Sequence, residues 1–175
     1  MNKSLLDAIR NVPDFPKKGI VFRDITTLLK DATAFASVID MLYDRFKNSQ
    51  VQKVVGIESR GFILGAALAY RLGVGFVPIR KPGKLPAPTF RQDYALEYGT
   101  DAIEIHKDAI DRGERVLLHD DLLATGGTMV AACKLVEHVG GTIVGISFLI
   151  ELSFLNGRKN LGSYDIFSIL NYDSE

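Results

Sequence analysis

At 175 residues, 47% hydrophobic and 24% charged, the chain has the bulk of one domain with a sizeable core. Its 21 basic and 21 acidic residues cancel, which argues against a general nucleic-acid or membrane-surface role. No apolar run is long enough for a bilayer, Met1 to Asp7 lacks a secretory h-region, and a single cysteine, Cys133, rules out an intramolecular disulfide; together these lead us to expect a cytoplasmic protein.

The first clear element is a helix over 31–47. Asp31 can cap it, and Phe35, Val38, Ile39, Leu42, Tyr43 and Phe46 follow helical spacing. A strand follows over 53–57, then an alanine-rich helix over 62–72 that Gly73 ends. Residues 74–79 read as a second strand. A loop with Pro82, Gly83, Pro86 and Pro88 comes next, and apolar alternation makes 95–105 strand-like. Val116 to Leu118 is an apolar run suited to a strand covered on both faces. A helix over 127–139, closed by Gly140 and Gly141, leads to strands over 142–152 and 164–172. Strands alternating with helices imply an α/β fold: a mostly parallel central sheet with helices on both faces and ligands bound beyond the carboxyl ends of the strands.

The stretch Val116 to Met129 carries the strongest chemical signal. After the apolar run come His119, then Asp120 and Asp121, then the turn Ala124-Thr125-Gly126-Gly127-Thr128 at the start of a helix. Glycines without Cβ bring backbone N–H groups close to a ligand. The helix adds its free N–H groups and positive dipole end, and Thr125 and Thr128 add hydroxyls, so the turn suits an anion. The two acids can accept from a vicinal diol. Phosphate beside diol is the outline of a ribose 5-phosphate. No Gly-Lys-Ser/Thr follows at the spacing of a P-loop, and the G-x-G-x-x-G spacing of a dinucleotide fold is absent.

Local charge points the same way. From Arg60 to Arg91 the chain has basic residues at Arg60, Arg71, Arg80, Lys81, Lys84 and Arg91 and no acid. Several lie in the long loop over 80–99, which suits a flexible lid over a highly charged anion.

The Asp120–Thr128 string resembles the signature of the type I phosphoribosyltransferases, which use phosphoribosyl pyrophosphate (PRPP). The resemblance implies that Asp120 and Asp121 hold the ribose hydroxyls and that Ala124, Thr125, Gly126, Gly127 and Thr128 hold the 5-phosphate. Gly56-Ile57-Glu58-Ser59-Arg60-Gly61 is similar to the pyrophosphate loop of that family, which implies pyrophosphate binding by Glu58, Ser59 and Arg60 and a cis peptide at Glu58-Ser59. Three further segments resemble the branch that uses adenine: Phe15 to Ile25, Arg80 to Pro86 with Leu96 to Gly99, and Glu151-Leu152. The likeness runs over most of the chain, with residues 1–30 as a base-pocket hood.

It implies conversion of adenine and PRPP to AMP and pyrophosphate through an oxocarbenium-like transition state. Val21, Phe22, Arg23 and Leu152 would form the base pocket, although Arg23 also reads as a structural ion pair. Glu97 would move the proton at the purine and Tyr98 would close over the reacting centre. Lys81 and Lys84 would meet pyrophosphate. Arg80 would do so from a neighbouring subunit of a homodimer. Mg²⁺ is the expected cofactor, held mainly by substrate oxygens with few protein ligands. The small molecules adenine and PRPP are the expected partners. His119 departs from the family's aliphatic residue and would need a hydrogen-bond partner if it points inward. A 6-oxopurine enzyme and a non-catalytic PRPP-sensing regulator remain the alternative readings.

Overall fold

The structure, a computed structural model, describes residues 2–95 and 99–175. The hydrophobic spacing sets most of its elements. Helix α1 (Asn2–Asp7) leads into a short antiparallel pair, β1 (Arg10–Pro13) and β2 (Val21–Asp24), and then α2 (Thr26–Leu29). Helix α3 (Ala32–Phe46) begins at Asp31, whose carboxylate accepts from the Thr33 and Ala34 N–H groups at 2.9 and 3.0 Å. Its buried face is Val38, Ile39, Leu42 and Phe46, as the spacing predicts.

Strand β3 (Lys53–Ile57), helix α4 (Gly61–Leu72) and strand β4 (Gly75–Ile79) form one crossover unit. Gly73 closes α4 in the left-handed conformation, at φ 71°. Strands β5 (Thr89–Ala95) and β6 (Thr100–His106) form a separate antiparallel hairpin, with Thr89 opposite His106 and Ala95 opposite Thr100. Strand β7 (Arg115–Leu123), helix α5 (Gly127–Val139), strand β8 (Thr142–Leu152), two 3₁₀ turns (Ser153–Leu155 and Gly157–Leu161) and strand β9 (Ile166–Tyr172) complete the chain.

The central sheet has the order β4-β3-β7-β8-β9, and every neighbouring pair is parallel. Adjacent residues on each strand therefore feed different cores. Val54 and Leu117 pack under α3 and α4, whereas Val55 and Leu118 pack under α5 and the β6 residues Ile103 and Ile105. From β3 the chain moves outward to β4; from β7 it moves the other way to β8 and β9. The carboxyl ends of β3 and β7 thus diverge at a topological switch point, where a crevice opens.

The expected α/β fold is present, with two corrections. The strand-like stretch at 95–105 is shorter, and the segment expected as a loop contains β5. The inward positions of β5 include Gln92 as well as Phe90 and Tyr94, so its period-two pattern was masked by a polar residue. No helix among the described residues is long and apolar enough to cross a membrane.

Candidate active site

Two turns meet at the switch point. One follows β3 and runs through Glu58, Ser59 and Arg60 into α4. The other follows β7 and runs from Asp120 to Gly126 into α5. Backbone pairing fixes their relative position: Lys53 lies opposite Val116 and Gly56 opposite His119. Gly61 lets them approach, since a Cβ there would sit 2.9 Å from Asp120 Oδ1 and 3.1 Å from the His119 carbonyl oxygen. The Glu58-Ser59 peptide is cis, as the resemblance implies.

Neither α4 nor α5 has a side chain capping its first turn, and neither has an acid there. Helix α3, remote from the crevice, is capped by Asp31. At α4 the Phe62 and Ile63 N–H groups turn back to the Ser59 and Arg60 carbonyls at 3.2 and 3.3 Å, whereas the Gly127 and Thr128 N–H groups that open α5 have no acceptor among the described residues, and the dipole there favours an anion.

Cavities of about 200 and 90 Å³ lie here and share Asp120, Leu122 and Thr128. The larger is lined by Glu58, Ser59, Arg60, Lys81, Tyr94, Asp120 and Asp121, among others. The smaller is bounded by Ala124, Thr125, Gly126, Gly127 and Thr128. A basic and acidic chamber therefore opens beside a backbone-lined one. Arg60 joins the chamber to the hood, because its guanidinium lies 5.1 Å from the centre of the Phe22 ring.

The acid pair is electrostatically tense. The Asp121 N–H donates to Asp120 Oδ1 at 2.9 Å, and Arg60 Nε lies 2.9 Å from Asp121 Oδ2 without hydrogen-bond alignment. Burial and the neighbouring Asp121 charge push the Asp120 carboxyl well above the usual carboxylate range. Burial also raises Asp121, opposed by Arg60. The pair is thus poised to gain from hydroxyl donors or a cation.

Other expected residues take different posts. Glu58 does not face the crevice as a free acid. It accepts from Arg80 Nε and Nη2 at 3.1 and 3.2 Å and from the Lys81 N–H at 3.0 Å. The bonds from Arg80 hold its carboxyl below the ordinary range. Glu58 therefore anchors the start of the segment that follows β4, and Arg80 is engaged within its own chain. Lys81 donates to the Tyr94 hydroxyl at 3.1 Å and pairs with Asp101, which draws the Asp101 carboxyl down. Lys84 is exposed, and its carbonyl accepts from Arg80 at 3.3 Å.

In the hood, Val21 donates its N–H to Glu175 Oε2 at 2.9 Å. Arg23 forms no ion pair with an acid among the described residues. Its guanidinium lies 4.1 Å from the centre of the Tyr172 ring and donates to Asn11 Oδ1 at 2.6 Å. This corrects the expectation of Arg23 as an ion pair and makes it a clamp between β2 and β9. Leu152 ends β8 opposite Tyr172, so the same clamp borders it. Glu97 and Tyr98 lie outside the described residues.

His119 is fully buried, and its Nδ1 lies 2.9 Å from Ser147 Oγ, so the hydrogen-bond partner that its burial demands is present on β8. Tyr94, Asp101 and Asn160 were not singled out by sequence. Only tertiary packing brings Tyr94 and Asp101 to Lys81, and Asn160 carries no local motif.

Against this geometry, the model of the phosphoribosyl transferase domain matches residues 24–172. A relative named adenine phosphoribosyltransferase from Chloroflexus aurantiacus is 58% identical over 170 residues, covering 97% of this chain and 98% of its own. The chain belongs to the adenine phosphoribosyltransferase family. A solved adenine phosphoribosyltransferase from Thermoanaerobacter pseudethanolicus superposes with a TM-score of 0.96 at 56% identity, over 98% of this chain and 100% of that one. The Saccharomyces cerevisiae enzyme superposes with a TM-score of 0.91 at 41% identity, over 97% of this chain and 98% of its own. That structure is complexed with adenine and an iminoaltritol bisphosphate.

Proposed function

We propose that the chain converts adenine and PRPP to AMP and pyrophosphate. The observation that carries the reading is the convergence of the Glu58–Arg60 turn with the Asp120–Thr128 turn at one switch point. In this reading the Thr125–Thr128 N–H groups and hydroxyls take the 5-phosphate. Asp120 and Asp121 accept from the ribose hydroxyls and place negative charge near the carbon that gains cationic character. Arg60, with Lys81 released from Asp101, meets the departing pyrophosphate. Phe22 and Leu152 flank the purine. The Val21 carbonyl accepts from its exocyclic amine, an interaction that a 6-oxo group cannot replace. Glu97 moves the purine proton and Tyr98 covers the reaction.

The site's chemistry fits Mg²⁺ as the cofactor. Asp120 and Asp121 would offer hard oxygen ligands beside a crevice suited to substrate oxygens, and the burial that raises both carboxyls is a cost that a cation would offset. Bound there with PRPP, the ion would offset charge on the leaving group.

The proposed assembly is a homodimer. Helix α4 starts beside Arg60 and exposes Ile63 and Tyr70, apolar surface that a second copy would cover. A cytoplasmic location suits the buried, unoxidised Cys133.

The test is to incubate the protein with PRPP, Mg²⁺ and each of adenine, hypoxanthine, guanine and xanthine, and to follow nucleotide and pyrophosphate. AMP formed from adenine alone is the expected result. Turnover of a 6-oxopurine would overturn the base assignment, and PRPP binding without any product would favour a sensor.

A further inference from the structure

We propose that the segment Asn156 to Leu161, through Gly157 and Asn160, is the positioning element that aims the N–H groups of the 124–128 turn at a bound phosphate. The inference rests on reading that turn as a phosphate site. Three observations carry it. Asn160 Nδ2 donates to the Thr125 carbonyl at 2.8 Å. Gly157 packs so tightly beneath the turn that a Cβ on it would lie 2.0 Å from the Ala124 carbonyl oxygen. Gly126, at φ 85°, presses back, with its own Cβ position 2.8 Å from the Gly157 carbonyl oxygen.

The peptide geometry turns these contacts into function. In a trans peptide the C=O and the following N–H point in opposite directions. Holding the Thr125 C=O against Asn160 therefore sends the Gly126 N–H the other way. Likewise, seating the Ala124 C=O on Gly157 directs the Thr125 N–H away from the 3₁₀ segment. Among the described residues, neither the Thr125 nor the Gly126 N–H donates to a protein acceptor. A turn with free donors on one side and tied carbonyls on the other is pre-organised for an anion. Neither Gly157 nor Asn160 lines the smaller cavity. They act through the turn, not on the ligand.

The experiment compares Asn160→Ala, Asn160→Asp and Gly157→Ala with the unaltered protein. It measures KM for PRPP, KM for adenine, kcat, thermal midpoint, and binding of ribose 5-phosphate as a direct probe. Loss of one exposed hydrogen bond should raise the PRPP KM and weaken ribose 5-phosphate by about three- to tenfold in Asn160→Ala. Asn160→Asp, which sets an acceptor against the carbonyl, should do more. Gly157→Ala must displace the turn and should exceed tenfold. Adenine KM and kcat should stay within about twofold, since the reacting atoms are untouched.

Unchanged PRPP and ribose 5-phosphate affinity in the Asn160 variants would overturn the inference, even if Gly157→Ala failed to fold. Equal losses for both substrates with a lowered midpoint would also overturn it, reducing the segment to scaffold. If the unaltered protein does not bind ribose 5-phosphate, the phosphate reading of the turn fails first and the inference falls with it.

Discussion

His119 should make the protein acid-sensitive in a way that one substitution removes. The imidazole is fully buried on β7, between β3 and β8, and burial lowers its pKa from 6.5 to about 4. Ser147 Oγ lies 3.3 Å from the Leu118 carbonyl and donates to it, which assigns the ring proton to Nδ1, donating to Ser147. Nε2 is then a buried acceptor with no partner among the described residues. For a base with a depressed folded pKa, the unfolded chain takes up a proton below about pH 6.5 that the folded chain refuses until about pH 4. Stability therefore falls with pH through that window and loses nothing more from this group below it. The shift, at about 1.4 kcal/mol per unit, is worth about 3 kcal/mol over the window, and between about 2 and 3 kcal/mol at pH 4.5. His119→Leu, of similar volume, removes the titration. It also removes one hydrogen bond and one orphaned acceptor, which largely offset, so the two proteins should agree within about 1 kcal/mol at pH 7.5. Urea unfolding at pH 7.5 and 4.5 gives the test as a difference of differences, in which the other titrating groups cancel. If both proteins lose the same stability on acidification, the buried-neutral account of His119 is wrong.

Other outcomes follow from the site. Asp121→Asn removes an acceptor for ribose and the counter-charge of Arg60, and kcat/KM for PRPP should drop by about ten- to a hundredfold; a smaller loss in steady-state kinetics would take the carboxylate out of diol recognition. Glu97→Gln should lower turnover by about a hundredfold or more while circular dichroism and thermal midpoint stay put, and unchanged turnover would remove Glu97 from proton transfer. Tyr172→Ala takes away the platform that Arg23 clamps, so adenine KM should rise about three- to tenfold with PRPP KM steady, and a rise in PRPP KM alone would show that the clamp does not serve the base pocket.

The sequence carried the central sheet well, and the reason is chemical. Strands β3 and β8 are buried on both faces, so their apolar runs are nearly continuous, and the bounds read for them at 53–57 and 142–152 coincide with the structure. Helix α5 is bracketed by glycines at both ends and was equally plain. The hairpin was not, since Gln92 occupies an inward position and breaks the alternation. At the candidate site, Asp120, Asp121 and the 124–128 turn are contiguous in the chain, so they read as one motif, and the structure brings them to one crevice. Next to Arg60, Glu58 reads as part of an anion loop; what the sequence did not show is that Arg80 and Lys81, more than twenty residues away, bind its carboxylate. The alternative of an ion pair at Arg23 failed for a similar reason, because its aromatic partner, Tyr172, comes from the last strand. Local chemistry shows which groups are present; only the fold shows which of them already have partners.

The pairing of β3 with β7 has a metric consequence. The turns proposed for the two anionic ends of one substrate sit on different strands, and the interstrand hydrogen bonds set their register. A slip of one residue between these strands would slide the Arg60 turn along the Asp120–Thr128 turn by about 3.3 Å, more than a hydrogen bond can stretch. The sheet is thus a ruler. The distance between the two turns is marked off in whole peptide units, and hydrophobic faces on both sides of Val54, Val55, Leu117 and Leu118 keep the scale from moving.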